Sequence, residues 1–228
     1  MAELKTTPAP VHTQPPVIDR AQYFWTRYQK PIIAFGIGII LGVGGYLAYK
    51  NFYQAPQEQK AVDGMAKAEE YFRIDSLNLA LNGDGINPGF LKIADRYENT
   101  KAGNLAHFYA GAVLLQQGNA AKAAAMLDDF ETDAPQIQAR AYKLLGDAYA
   151  EQNKNGDALE AYKKAAKHFE ADEANASEYL FMAAYFADRV AKKRDDAIAL
   201  FKELKEKYPR TEKGFEADKY LAQLGIYN

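Results

Sequence analysis

Residues 31–49, PIIAFGIGIILGVGGYLAY, contain no charged side chain. A helix rises about 1.5 Å per residue, so a helix of this length would span about 28 Å, close to the hydrocarbon thickness of a bilayer. Tyr, Phe and Trp, which favour the headgroup region, flank the run on both sides. A buried helix of a soluble protein is the alternative, but the run is too long and uninterrupted for a typical surface helix. The pattern therefore predicts a transmembrane helix, which occupies residues 23–53 with its aromatic flanks.

The position of this run predicts a retained signal anchor. Thirty residues precede it, and no small-residue cleavage site follows it. Arg20, Arg27 and Lys30 lie just before it, whereas two lysines follow it. Because positive charge favours the cytoplasmic side, we expect the N-terminus in the cytoplasm and the remainder across the membrane, in the periplasm of a bacterium. Residues 1–22 are rich in Pro and Thr and are predicted to form a disordered cytoplasmic tail.

Three small residues lie four positions apart within the predicted span. Ala34, Gly38 and Gly42 would share one face of a helix and let a second helix approach closely. We take them as candidate transmembrane packing residues. Glycine is also frequent in membrane helices generally, so a dedicated partner helix and simple composition stay equally open at this point.

Composition and motifs exclude several classes of function. The chain has no cysteine, which excludes disulfides, Cys-ligated zinc, iron–sulfur clusters and thiol catalysis. Its net charge of −2 argues against a general nucleic-acid binder. Signatures of zinc proteases, serine hydrolases, P-loops, dinucleotide sites and kinases are missing from the sequence. We therefore expect a non-enzyme with no cofactor, no metal and no small-molecule substrate.

The chain beyond residue 55 shows helical periodicity and an internal repeat. Residues 105–130 align with residues 139–166 at a shift of 35, which matches a Gly with a Gly and Leu127 with Tyr162. A third copy at 177–209 has an inter-helix segment one residue longer. We predict further an early degenerate pair, whose helices cover 57–81 and 88–98, and a closing helix at 211–227.

The second copy has the residue types of a tetratricopeptide repeat (TPR) at seven positions: Tyr142, Leu145, Gly146, Tyr149, Ala158, Tyr162 and Ala165. The chain therefore resembles TPR proteins. The resemblance implies that small residues sit where paired helices cross, that aromatic residues fill the wedge between pairs, and that the pairs stack into a curved solenoid. The expected fold is all-α: a TPR-like solenoid at 54–228, preceded by one transmembrane helix.

The TPR resemblance also implies a binding groove, because the first helix of each pair lines the concave wall. Counting from the helix crossing, the predicted protein-binding residues are Phe108, Leu115, Arg140, Lys143, Asp147, Phe181 and Tyr185. Such an apolar groove with a charged middle suits a peptide or an extended chain. The alternative is that Phe108 and Phe181 are partly buried in the core.

A cytoplasmic tail, one anchor and an exported TPR domain together resemble the YfgM family, the ancillary subunits of the bacterial SecYEG translocon. Residues 82–111 also look like its Bacteroidetes-type members. The resemblance implies a single-pass inner-membrane protein that acts with SecYEG, a PpiD-like chaperone and the emerging polypeptide. Two alternatives stay open: a TPR scaffold for another envelope assembly (outer-membrane protein assembly, cytochrome maturation or surface secretion), and a membrane-tethered enzyme with an unrecognised site.

Overall fold

The computed structural model describes residues 17–227, with side chains from residue 22 onwards. Most of the predicted tail, residues 1–16, lies outside this range, and the first helix begins at Val17, before the predicted end of the tail at residue 22. The described residues form no β-strand, only an isolated bridge between Gly83 and Pro88. The prediction of an all-α fold is confirmed for this part of the chain.

The chain divides into two compact units, residues 1–53 and residues 54–228. The first unit contains helix α1 (Val17–Ala48), which is followed by a π-helical segment (Tyr49–Gln54). The helices of the second unit are α2 (Ala55–Arg73), α3 (Leu77–Asn82), α4 (Phe90–Arg96), α5 (Lys101–Gln116), α6 (Ala120–Asp128), α7 (Pro135–Glu151), α8 (Asn155–His168), α9 (Glu173–Arg189), α10 (Arg194–Lys207) and α11 (Glu212–Gln223).

From residue 31 onwards, helix α1 is apolar and almost wholly exposed. It contains an 18-residue window with a mean hydropathy of 2.0, and none of that window is buried. Side chains such as Phe35 and Ile40 are about 70% exposed, an arrangement that water would not favour but lipid would. Among the described residues this is the one helix long and apolar enough to cross a membrane.

The second unit is built from helices that pack on their neighbours in sequence. Each helix from α5 to α10 packs against the next; α5 also contacts α7, and α9 also contacts α11. Two glycines let the paired helices approach. A Cβ atom on Gly111 would lie 2.5 Å from Cγ of Leu127, and one on Gly146 would lie 2.5 Å from the ring of Tyr162. The residues aligned by the sequence repeat therefore make equivalent contacts in space.

The turns between paired helices are also equivalent. After α5, the amides of Gly118 and Asn119 bond back to Leu115 and Leu114, and α7 ends in the same way at Asn153. The residues at the corner, Gly118 and Asn153, have φ values of 73° and 58°. The turn between α9 and α10 is one residue longer, as expected, and its corner residue is Lys192 with φ 57°.

The predicted helix at 57–81 is broken in the structure. Helix α2 ends at Arg73 because Asp75 adopts φ 59°, and the amides of Asp75 and Ser76 bond back to Phe72 and Tyr71. This is the same reversal that ends α5 and α7. The chain then forms the short helix α3, a loop at 83–89 and helix α4. The predicted continuous helix is therefore two helices separated by a tight turn.

A candidate protein-binding groove

A groove of about 850 Å³ lies on one face of the second unit. Helices α2, α5, α7 and α8 contribute its lining residues: Glu69, Phe72, Arg73, Phe108, Tyr109, Ala112, Leu115, Gln116, Arg140, Leu144, Asp147, Ala150, Glu151 and Tyr162. More than half of these residues are aliphatic or aromatic. A concave apolar surface of this volume is large enough for several side chains of a bound peptide.

Packed aromatic rings hold the floor of the groove in place. Tyr109 stacks on Phe90 with ring centroids 5.0 Å apart, and Phe72 meets it edge-on at 5.7 Å. Phe108 is only 7% exposed and packs against Phe130 at 5.4 Å. The floor is therefore rigid, and Phe108 belongs as much to the core as to the groove.

Charged residues of both signs form the rim. Arg73, Arg140 and Glu151 are exposed, and Glu69 is half-buried. The guanidinium of Arg140 lies 6.0 Å from the ring centre of Phe108, within the range of a cation–π contact. A rim of this kind can form ion pairs with charged residues of a peptide while the peptide's apolar side chains pack on the floor of the groove.

Asp147 connects two of the lining helices. The hydroxyl of Tyr162 on α8 donates a hydrogen bond to its Oδ1 over 2.9 Å, and Lys143 Nζ contacts its Oδ2 at 2.7 Å. Burial, followed by the charge of Asp147, raises the pKa of Tyr162 far above its ordinary value. Tyr162 therefore stays a neutral donor, and both carboxylate oxygens have protein partners. The cluster thus links α7 and α8 at the groove through both oxygens of Asp147.

The structure brings together part of the predicted binding set. Phe108, Leu115, Arg140 and Asp147 all line the groove. Lys143 does not line the groove, but it forms an ion pair with the lining residue Asp147. Of the predicted charged residues, Arg140 and Asp147 line the groove, and both belong to α7.

Phe181 and Tyr185 lie in a different place. They belong to an aromatic cluster on α9, α10 and α11, in which Tyr220 of α11 lies 5.1 Å from Phe181 and 6.0 Å from Tyr185. Tyr220 also stacks on Phe201 at 5.1 Å. Helix α11 thus covers the wall of α9, although Tyr185 remains 43% exposed.

Polar contacts hold α11 in this position. Lys205 forms an ion pair with Asp218 at 2.8 Å, and Arg189 donates a hydrogen bond to Gln223 at 2.8 Å. Arg194 bonds to the carbonyl of Leu224 at the end of the helix. The predicted third wall therefore packs against the closing helix.

Sequence reasoning missed the contribution of α2 and α8. Glu69, Phe72 and Arg73 follow the i, i+3, i+4 spacing of one helix face, so the signal was present. This spacing identifies groove residues only once it is known that α2 ends at Arg73 and packs beside α5. The ring of Tyr162 packs on Gly146 of its own helix pair and lies 5.3 Å from the ring of Phe186 on α9, and its hydroxyl bonds to Asp147 in the groove.

The candidate packing residues on α1 are exposed and have no neighbouring helix within the described residues. Ala34, Gly38 and Gly42 are exposed on α1, and a Cβ atom added to either glycine would meet no atom within 4 Å. A second helix could approach this face closely.

The described residues contain no cluster of His, Asp and Glu able to hold a metal ion. The candidate site therefore consists of the groove and its charged rim. No protein-family model matches the chain, and no curated protein is significantly similar to it.

Proposed function

We propose that this chain is a non-enzymatic, single-pass inner-membrane protein whose second unit is a TPR-like domain that binds other proteins through its groove. The N-terminus lies in the cytoplasm and the second unit in the periplasm. It acts as an accessory subunit of the Sec translocon, beside SecYEG and a PpiD-like chaperone, and engages emerging chains. The observation that carries the binding role is the rigid groove between α2, α5, α7 and α8.

Three repeated features support the TPR-like architecture. The helix crossings at Gly111 and Gly146 are equally close, and the aligned Leu127 and Tyr162 pack on them. The turns after α5 and α7 have the same hydrogen bonds. Contacts between α5 and α7 and between α9 and α11 are those expected when pairs stack through their first helices.

The chemistry of the groove supports binding over catalysis. Its aromatic floor is preorganised, so little side-chain entropy is lost on binding. The oxygens of Asp147 are already paired with Lys143 and Tyr162, which leaves the rim charges of Arg73, Arg140 and Glu151 to contact a ligand. An extended peptide with apolar side chains and a few charges fits this arrangement.

The Sec assignment rests on the resemblance of the chain to the YfgM family in architecture and in residues 82–111. The exposed face of Ala34, Gly38 and Gly42 supports a contact with a partner's membrane helix. Arg20, Arg27 and Lys30, in the part of α1 that precedes the uncharged run of residues 31–49, support an N-terminus in the cytoplasm.

Site-specific cross-linking tests both the groove and the partners. The chain has no cysteine, so Gln116→Cys and Glu151→Cys each create a single reactive position at the groove. Both side chains are exposed, so the fold should survive the changes. Lys122→Cys on α6 is the matched control, because it is exposed and does not line the groove.

We expect adducts with a Sec component, a PpiD-like chaperone or a secretory chain from the two groove positions, and none from position 122. Purification in mild detergent with mass spectrometry identifies them. Groove adducts with other envelope assembly factors would replace the Sec assignment but keep the binding role. Equal labelling at all three positions, or none at the groove, would contradict the binding role itself.

A further inference from the structure

A second surface of the same unit combines positive charge with an exposed apolar tip. The loop of residues 83–89 projects Ile86, which is 92% exposed. A shallow cavity of about 370 Å³ beside it is lined by Lys60, Asp63, Gly64, Ile86, Asn87, Pro88, Lys92, Arg96 and Tyr97. We call these residues the Ile86 surface. None of these residues lines the protein-binding groove.

The loop that carries Ile86 is rigid. The carboxylate of Asp84 accepts hydrogen bonds from the amides of Ile86 (2.8 Å) and Asn87 (2.6 Å), from the side chain of Asn87 and from the hydroxyl of Tyr71. Pro88 packs on α2, close to Gly64. Because Asp84 holds the centre of the loop and Pro88 packs on α2, the folded loop keeps Ile86 exposed.

The charges around Ile86 are predominantly positive and available. Lys60, Lys92 and Arg96 are exposed, and none of them forms an ion pair within the described residues. Asp63 is the acidic residue in the lining, and it accepts a hydrogen bond from Gln59. The lining residues of the Ile86 surface therefore carry a net charge of +2. The nearby carboxylate of Asp84 is also acidic, but it is engaged by hydrogen bonds from Ile86, Asn87 and Tyr71.

Lys60 lies close in sequence to the proposed membrane anchor. Lys60 follows Tyr53, the last residue of the first unit, by seven positions. Seven residues span at most about 25 Å when fully extended and about 10 Å in a helix. Lysine and arginine close to a membrane helix are attracted by anionic headgroups, and an exposed apolar side chain among them can enter the interface.

We propose that the Ile86 surface is a membrane-contact site: Lys60, Lys92 and Arg96 bind the headgroups of anionic lipids while Ile86 enters the interface. The contact would hold the second unit against the membrane that anchors the chain. The inference rests on the proposed anchor. It adds a lipid ligand at a site separate from the protein-binding groove.

The test uses the full chain in lipid vesicles, either of phosphatidylcholine alone or with about a third phosphatidylglycerol. Because the chain lacks cysteine, Ile86→Cys carries a single apolar spin label at the tip. Accessibility to a water-soluble nickel complex and to oxygen reports its surroundings. Ile74→Cys, at the other end of α2 and 63% exposed, is the matched control.

We expect the label at position 86 to be protected from the nickel complex and exposed to oxygen in anionic vesicles, and open to the nickel complex in neutral ones. Each basic residue near an anionic surface strengthens binding about fivefold, so Lys92→Gln with Arg96→Gln should lower the ratio of contacting to free chains about 25-fold. The label at position 74 should stay in water throughout.

Three results would overturn the inference: equal water access at position 86 in both vesicles, equal protection at position 74, or protection that grows with the ratio of protein to lipid. The last result would indicate a second copy on this surface. Flotation of the vesicles separates the two hypotheses. A chain that does not float with them contradicts the anchor, whereas a floating chain with an unprotected label contradicts only the lipid contact.

Discussion

The hydroxyl of Tyr162 lies 2.9 Å from Oδ1 of Asp147 and joins α8 to α7 at the floor of the groove. The ring of the same tyrosine packs on Gly146, one position before Asp147. One side chain therefore performs two tasks: its ring fills the helix crossing, and its hydroxyl orients a carboxylate of the groove. Different substitutions of Tyr162 and Gly146 can therefore test the helix packing and the hydrogen bond to Asp147 separately.

Tyr162→Phe removes the hydrogen bond and keeps the ring. We expect the free energy of unfolding to fall by about 1 kcal/mol, since water can replace the lost donor at the partly exposed Asp147. Urea unfolding of the full chain in mild detergent, followed by circular dichroism, measures the change. Tyr142→Phe is the control, because its hydroxyl makes no hydrogen bond within the described residues; an equal loss there would refute the role of the bond.

The same tyrosine should also contribute to the loss of stability at alkaline pH. The pKa of Tyr162 is raised in the folded state, first by burial and then by the charge of Asp147. The unfolded chain ionises its tyrosines near pH 10, so stability is intact below that pH and is lost as the pH rises above it. Tyr162→Phe should make this decline shallower between pH 10 and 11.5. An unchanged slope would mean that other buried tyrosines control the alkaline transition.

Gly146→Ala tests the helix crossing. Its Cβ atom would lie 2.5 Å from the ring of Tyr162, so we expect a loss of about 1 to 3 kcal/mol, although alanine favours helix. Gly156→Ala in α8 is the matched control, because its Cβ would meet nothing within 4 Å and should leave the stability unchanged or raise it. Tyr162→Leu combined with Gly146→Ala should recover part of the loss. Thermal unfolding compares the three variants with the wild type.

The repeat made the groove of α5 and α7 predictable. Once Gly111 and Gly146 were aligned, helical spacing placed Phe108, Leu115 and Asp147 on one face, and the structure agrees. This inference combined local periodicity and one internal alignment with the concave wall that the TPR resemblance implies.

The third wall could not be predicted in this way. Whether Phe181 faces a groove depends on how closely α11 packs over α9, and that distance is set by Tyr220 and by contacts between distant residues such as Lys205 and Asp218. Helical periodicity gives the face of a helix but not its partner. The end of α2 was missed because it depends on a positive φ at Asp75, a conformation that few non-glycine residues adopt and that helical periodicity does not reveal.

A second repeated motif, Tyr-x-x-Thr-x-x-Gly, begins both α5 and α11. Thr100 accepts a hydrogen bond from the amide of Gly103 and donates one to Tyr97, and Thr211 makes the same pair of bonds with Gly214 and Tyr208. Thr100→Ala and Thr211→Ala should each cost about 1 kcal/mol.

Serine keeps the hydroxyl, so Thr100→Ser and Thr211→Ser should retain most of the stability. Chemical denaturation of the four variants gives the comparison. If serine proves as harmful as alanine, the methyl group and not the cap would be responsible.

The loop of residues 83–89 should depend on one carboxylate. Asp84 accepts bonds from the backbone and side chain of Asn87, from Tyr71 and from the amide of Ile86, and the bonds from Asn87 make the largest contribution to lowering its pKa. Asp84→Ala should therefore speed hydrogen exchange at the amides of Ile86 and Asn87 at least tenfold and leave the helix content unchanged. Asp95→Ala on α4 is the control, since Asp95 is exposed and makes no hydrogen bond within the described residues.

Because the pKa of Asp84 is lowered by folding, the loop should lose its order at acidic pH. A carboxylate whose pKa is depressed by folding stabilises the native state above its unfolded value, near pH 4, and loses that effect as the pH falls further. In the wild type, the two amides should remain protected at pH 5 and lose protection progressively below pH 4, whereas in Asp84→Ala they should exchange fast at every pH after correction for the intrinsic rate. Amides that stay protected in the variant would show that the packing of Pro88 on α2 alone orders the loop.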